Sequence, residues 1–383
     1  MIEEKQIKFE RHGIAIEGTV YLIPGTPYYG YNCGYSIFVP KNCDKNTTLL
    51  LHSCNTGGNV PIHLDEANDI AKRSTYERPN LGMCFGAVLN MPVMIPLIPR
   101  IQGYYTQSLR RMPFLNDVSD LISENKKRIP EDQLSMDEIY QIQEQCRDIP
   151  TQVVNMIESA KGFLQNMGIN IDNKIITEGY SAGAQFANYF TALHPELVKA
   201  CIAGGNSGLS IIPLKEYNNQ ELKYPLGVSD IENFNYDEFI KIPQLYYIGT
   251  EDYNDAAMVE CEYKRDNNGD YVIEHGNRIP ITDEYGNIIP VLDRNGKMQP
   301  RYKESYNQEE IEIIHTLFGT NPQNRFDMQE QIYKELGVNA IFKRFPGDHI
   351  TVNLNHEGNY YYIEECIKDF IKDILNKEKK IKR

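Results

Sequence analysis

The spacing of apolar positions changes along this chain, and each change marks an element. Residues 14 to 23 and 35 to 39 alternate like strands and are separated by glycine, proline and asparagine turns, so residues 13 to 40 predict two or three strands. Residues 47 to 52 form a short β-branched and leucine run that ends at Ser53-Cys54-Asn55-Thr56-Gly57-Gly58. Residues 61 to 73 predict a helix, and residues 83 to 89 a further buried strand. The longest apolar run, residues 86 to 98, is cut by Pro92 and Pro96 and reads as a buried strand leading into a loop. Val153, Val154, Ile157, Ala160 and Leu164 recur at helical spacing before Gly168 stops them. Residues 174 to 178 are β-prone, and residues 184 to 194 place Phe186, Tyr189, Phe190 and Leu193 on one side of a helix. Residues 198 to 203, 242 to 248 and 339 to 345 predict three more buried strands, and residues 358 to 375 contain a last amphipathic helix. Such alternation predicts an α/β protein with a mostly parallel central sheet and helices on both faces.

Two stretches break the alternation, and both read as insertions into a single domain spanning residues 1 to 383. Residues 100 to 148 are polar, charged and partly helical, as a cap or lid is. In residues 262 to 306, Gly276-Asn277-Arg278-Ile279-Pro280 recurs ten residues later as Gly286-Asn287-Ile288-Ile289-Pro290, and more weakly as Gly296-Lys297-Met298-Gln299-Pro300. Turn pairs such as Asn268-Gly269 and Asn295-Gly296 separate short β-prone runs, which predicts an inserted β-meander. Pro280, Pro290 and Pro300 restrict those strands to edges or irregular pairings. Asp266-Asn267-Asn268-Gly269-Asp270 has some calcium-loop character but lacks the bidentate acid at the proper spacing, so a hairpin turn is the better reading.

Charge and cysteine usage then narrow the partners. A formal net charge of −14 argues against nucleic acid or an anionic membrane as the main partner. No stretch approaches a membrane span, and Met1-Ile2-Glu3-Glu4-Lys5 is not followed by the apolar segment of a signal peptide. The eight cysteines are scattered and form no C-x-x-C pair, so no zinc site or redox dithiol is expected, and Cys84 and Cys201 read as small core residues. A reducing, cytoplasmic setting is the expectation.

The candidate chemistry sits between the strand at 174 to 178 and the helix from 184. Gly179-Tyr180-Ser181-Ala182-Gly183 has the form G-x-S-x-G in a strand–turn–helix setting, which marks a nucleophilic serine. The turn is tight enough that a Cβ on either flank collides with its neighbours, hence the glycines. A serine hydroxyl needs a histidine to take its proton and a carboxylate to orient that histidine. For the acid, Leu245-Tyr246-Tyr247-Ile248 runs into Gly249-Thr250-Glu251-Asp252; Asp252 is favoured by loop position, with Glu251 and Asp255 as competitors. For the base, an alternating strand runs into Pro346-Gly347-Asp348-His349; His349 is favoured, with His356 and His315 as rivals. His194 before Pro195 reads as a helix C-terminal residue. The oxyanion donors expected are the N–H of Ala182 and, from the loop after an early strand, the main-chain N–H of Cys54.

These pieces resemble the α/β-hydrolase serine esterases, most of all the polyhydroxyalkanoate-depolymerase-like and feruloyl-esterase-like branch. Its Leu-His-Gly-Cys segment is here Leu51-His52-Ser53-Cys54, with Ser53 in place of glycine. Gly-Tyr-Ser-Ala-Gly with Asn188 and His194-Pro195 is similar to its nucleophile region, and the Gly249 and Pro346 loops to its acid and base loops. The resemblance covers residues 35 to 375 apart from the two insertions. It implies the α/β-hydrolase fold and cleavage of a small-molecule carboxylic ester through an acyl-enzyme, with no metal or organic cofactor. Polymer degradation is not part of the expectation. A peptidase or amidase with the same triad, or a binding protein on the same fold, are the alternatives.

Overall fold

The computed structural model describes residues 2–11, 13–53, 60–101, 106–110, 134–206, 209–274, 277–284, 288–301, 305–349 and 359–381. Nine strands form one sheet: β1 (Glu3–Arg11), β2 (Ile14–Ile23), β3 (Tyr35–Pro40), β4 (Leu50–His52), β5 (Val93–Pro96), β6 (Ile175–Tyr180), β7 (Val198–Gly204), β8 (Gln244–Gly249) and β9 (Ala340–Phe345). Their spatial order is β1-β2-β3-β5-β4-β6-β7-β8-β9. The first three strands are antiparallel, β3 meets β5 antiparallel, and every pairing from β5 to β9 is parallel. An open sheet with this order, antiparallel only at its N-terminal end and covered by helices, is the α/β-hydrolase fold. The charged hairpin strand β1 lies ahead of the strands expected from the sequence. It is an outer strand of the sheet and carries lysines, glutamates and an arginine, a composition that disfavours edge-to-edge pairing.

The helices divide between the two faces. Successive sheet residues point to opposite sides, so Ile175, Cys201, Ala203, Tyr246 and Ile248 face one core and Ile176, Ala200, Ile202, Leu245 and Tyr247 the other. The first core holds α4 (Ile149–Asn166), α5 (Ala182–Leu193), α6 (Gln308–Leu317) and α7 (Pro322–Glu335). The second holds α2 (Leu81–Leu89) and α8 (Asn359–Ile381), the latter through Ile363, Ile367, Ile371 and Ile374 at helical spacing. The other helices among the described residues are α1 (Leu64–Arg73), α3 (Met136–Cys146) and a single turn at Tyr236–Phe239. Residues 83 to 89 are therefore helical, not the strand their hydrophobicity predicted. Asn80 Oδ1 accepts the Met83 N–H at 2.9 Å and caps the helix. A continuous apolar run carries no period to separate a buried helix from a strand. The strand of that region is β5, which ends at Pro96.

Of the first insertion, the described parts include a 3-10 turn (Thr106–Ser108) and α3, opened by a capping box between Ser135 and Glu138. The second begins to pair at Val259, earlier than residue 262. Val259, Cys261 and Tyr263 bridge Pro300, Pro290 and Pro280 in turn, as teeth on a spine. Each proline sits between hydrogen-bonded neighbours: Glu260 N donates to Gln299 O, Val291 N to Glu260 O and Ile281 N to Glu262 O, at 2.8, 2.8 and 2.9 Å. The ten-residue period of the sequence is thus one tooth per repeat, joined to the spine by single bridges; the hairpins close through Thr282–Ile288 and Leu292–Met298 bridges and a short antiparallel ladder of Ile273–Glu274 with Asn277–Arg278. Asp266 Oδ1 accepts the N–H groups of Asn268 and Asp270, so this carboxylate closes a hairpin turn. Asp293 does the same with Asn295 and Lys297. No metal-ligating cluster occurs among the described residues, and no described helix is long and apolar enough to cross a membrane.

Candidate active site

Parallel strands deliver their following loops to one rim of the sheet, and the candidate residues follow β6, β8 and β9 there. Ser181 leaves β6 with φ 57° and ψ −123°, a strained conformation for a residue with a side chain. The surrounding fold holds it there. Ser181 N donates to Gly204 O of β7 at 2.7 Å, and Ser181 O accepts the N–H of Ala184 at 3.0 Å as α5 begins. Gly179 is required by contact: a Cβ there lies 2.1 Å from the Gly183 carbonyl oxygen. Ala182 opens α5, so its N–H has no acceptor within the helix.

Asp252 and His349 meet across two loops. His349 Nδ1 lies 2.8 Å from Asp252 Oδ2, and Asp252 is 1% exposed. With the carboxylate ionised, Nδ1 carries the shared proton and Nε2 is left as an acceptor. The acid loop is fixed by helix α7: Gln323 Nε2 donates to Gly249 O at 2.7 Å and to Asp252 O at 3.0 Å. Asp252 Oδ1 also accepts the Asn254 N–H at 3.0 Å. The base loop turns at Gly347, whose φ of 120° excludes a side chain without strain, and Gly347 O accepts the Glu251 N–H at 2.9 Å. Acid and base loops are thereby joined through the main chain as well as the carboxylate. Among the described residues Ser181 Oγ makes no hydrogen bond to His349. The contact between elbow and base loop runs through Tyr180, whose hydroxyl donates to His349 O at 2.9 Å.

The rivals have other partners. Asp255 forms a buried ion pair with Arg325 at 2.5 Å and accepts the Ala257 N–H. His315 is buried with Nε2 2.8 Å from Ala257 O. Glu251 is exposed. His194 closes α5 and lies 3.3 Å from Glu196. Cys54, proposed as the second oxyanion donor, and His356 lie outside the described residues. Cys84 is in α2 and Cys201 in β7; burial raises their thiols to about 12 and about 11, so both stay protonated at neutral pH.

One pair near the site was not singled out from the sequence. His52, at the end of β4, lies 2.6 Å through Nδ1 from Glu178 Oε2 in β6, and both side chains are buried. A glutamate inside a predicted buried strand, three residues before the serine, was the available signal, since a buried carboxylate demands a partner. Gly82 of α2 packs on the His52 ring, where a Cβ would lie 2.6 Å from it. The pair links β4 to β6 at the register where His52 lies opposite Glu178.

No family model matches the chain, and no curated protein matches it. Solved structures with a similar fold include poly(aspartic acid) hydrolase-1 from Sphingomonas sp. KT-1, at 13% identity over 90% of this chain and 98% of that one, with a TM-score of 0.44. An S-formylglutathione hydrolase from Agrobacterium tumefaciens is 10% identical over 96% of this chain and 97% of that one, TM-score 0.41. The poly(3-hydroxybutyrate) depolymerase LpqC from Bordetella parapertussis is 10% identical over 91% and 84%, TM-score 0.36. Activity does not follow from likeness at this distance; the fold rests on strand order and register.

Proposed function

We propose that the chain is a serine hydrolase that cleaves carboxylic esters through an acyl-enzyme. The observation that carries this reading is the 2.8 Å contact between a buried Asp252 carboxylate and His349 Nδ1, at the same rim as a serine held at positive φ. Ser181 Oγ attacks the ester carbonyl carbon while His349 Nε2 takes the hydroxyl proton. Asp252 holds the imidazole in the tautomer that leaves Nε2 free, and stabilises the imidazolium as it forms. The oxyanion is held by the N–H groups of Ala182 and Cys54. Collapse breaks the bond to the alcohol, which leaves with the proton from His349. Water, deprotonated by His349, then attacks the acyl-enzyme; collapse breaks the bond to Ser181 Oγ, which takes the proton back from His349, and the acid leaves. Every proton and bond is accounted for by these side chains and water. The inserted segments flanking the site set which esters enter. The substrate in this reading is a small-molecule ester.

The test is covalent labelling by a fluorophosphonate together with turnover of p-nitrophenyl esters of graded acyl length. Wild type becomes labelled on Ser181 and hydrolyses esters; Ser181→Ala does neither. A wild-type protein that takes no label is a binding protein on this fold, and the reading fails. Faster turnover of a matched amide than of its ester moves the substrate class to amides.

A further inference from the structure

We infer that Tyr180 is a positioning residue for the base His349; this rests on the serine-hydrolase reading above. In the sheet, β6 and β9 are separated by β7 and β8, so their axes lie about 14 Å apart at the usual strand spacing of about 4.8 Å. Yet the rings of Tyr180, at the end of β6, and His349, beyond β9, have centroids only 5.0 Å apart. The loop after β9 therefore bends back over two strands, and something must hold it there. Two side chains do. Asp252 holds the imidazole from one side at Nδ1, and the Tyr180 hydroxyl holds the main chain of the same residue through His349 O at 2.9 Å.

Tyr180 is itself well fixed. It is 2% exposed, its ring stacks on Tyr247 at 5.8 Å, and Gly205 leaves room for it where a Cβ would lie 2.7 Å from its Cζ. Gly205 is bound in turn by its N–H to Tyr247 O at 2.8 Å. Burial first, then the neighbouring Asp252, Tyr247 and Asp348, hold the phenol well above its ordinary value, so it remains a neutral donor at any working pH. Being the residue before Ser181, Tyr180 is part of the elbow. The serine and the main chain of its base are thus referenced to one rigid ring. Without the hydroxyl the imidazole keeps Asp252 but loses its fixed distance to Ser181 Oγ, and small misplacements of reacting groups are costly.

The experiment compares wild type, Tyr180→Phe, His349→Ala and the double variant, with melting temperature as the check on folding. Tyr180→Phe removes one oxygen and leaves the ring and its stacking. It is expected to lower kcat by about ten- to a hundredfold, with KM changed by less than about threefold, and to slow fluorophosphonate labelling in parallel. In the His349→Ala background the same change should cost no further activity, because Tyr180 acts through His349. A purely structural role would lower melting temperature and leave kcat alone, or would depress the His349→Ala rate as well; either result overturns the inference. Wild-type kcat in Tyr180→Phe overturns it and leaves the hydrolase reading standing. If wild type is neither labelled nor active, the hydrolase reading falls and the inference falls with it. Should Tyr180→Phe prove too unstable to assay, Tyr180→Met, which also lacks the donor, is held to the same double-variant comparison.

Discussion

Two carboxylates three residues apart, Asp252 and Asp255, show how contacts divide labour that loop position alone could not. Both are buried at the same rim. Asp252 faces the imidazole of His349, while Asp255 faces the guanidinium of Arg325, a side chain with no exposed surface. Asp252→Asn is expected to lower kcat about a thousandfold to ten-thousandfold, because an amide stabilises the wrong tautomer of His349, with little change in melting temperature. Asp255→Ala should do the reverse. Breaking a buried ion pair costs about 3–5 kcal/mol, read as an earlier unfolding midpoint, while turnover of the folded protein falls far less. Steady-state rates and denaturant titrations of the two variants check both halves. The reverse pattern would move the acid to residue 255.

At the scale of elements, the elbow and its strand were legible because their signals are local. Gly179 must be small where β6 turns into α5, because a Cβ there would meet the Gly183 main chain, and strand, turn and helix follow within a few residues. The ten-residue repeat was legible for the same reason, and it forms short antiparallel hairpins whose prolines limit most pairings to single bridges. α2 was not. Leu81 to Leu89 is apolar throughout, packed against β2, β3 and α8 with Leu81 to Gly86 buried and Val88 exposed, and such a run has no periodicity to read. Its helical state makes a prediction at the cap. Asn80→Ala should reduce stability by about 1 kcal/mol, seen as a lower denaturant midpoint at unchanged slope. A strand at residues 83 to 89 would give a side chain at position 80 no such effect.

For the whole molecule, the buried His315 couples stability to pH. Burial, opposed by its bond to Ala257 O, holds the imidazole below its ordinary value of 6.5, and Arg325 pushes in the same direction as burial. The unfolded chain takes up the proton near pH 6.5 while the folded protein resists it. The contribution of His315 is therefore complete above about pH 6.5 and is lost as pH falls toward the depressed folded value. Melting temperature should drop between about pH 7.5 and about pH 5.5 in wild type, and drop less in His315→Gln. An equal or steeper fall in that variant removes His315 as the source. The net charge of −14 adds self-repulsion that acidification relieves, so the comparison between variants, not the wild-type trend, isolates the histidine.

Local sequence determined what depends on local sterics and period: the strained turn at Ser181, the alternation of strands and helices, the glycine turns that present Asp252 and His349, and the repeat of the second insertion. Tertiary structure decided which acid meets which base. Asp252 and His349 are 97 residues apart, and only the parallel pairing of β8 with β9 brings their loops to the same edge. It also decided that Tyr180 reaches the main chain of His349, that Asp255 belongs to Arg325, and that His52 answers Glu178. Each of these joins groups from elements distant in the chain. Their partners are selected by sheet order and by the cost of burying an uncompensated charge or donor, quantities that no window of neighbouring residues contains.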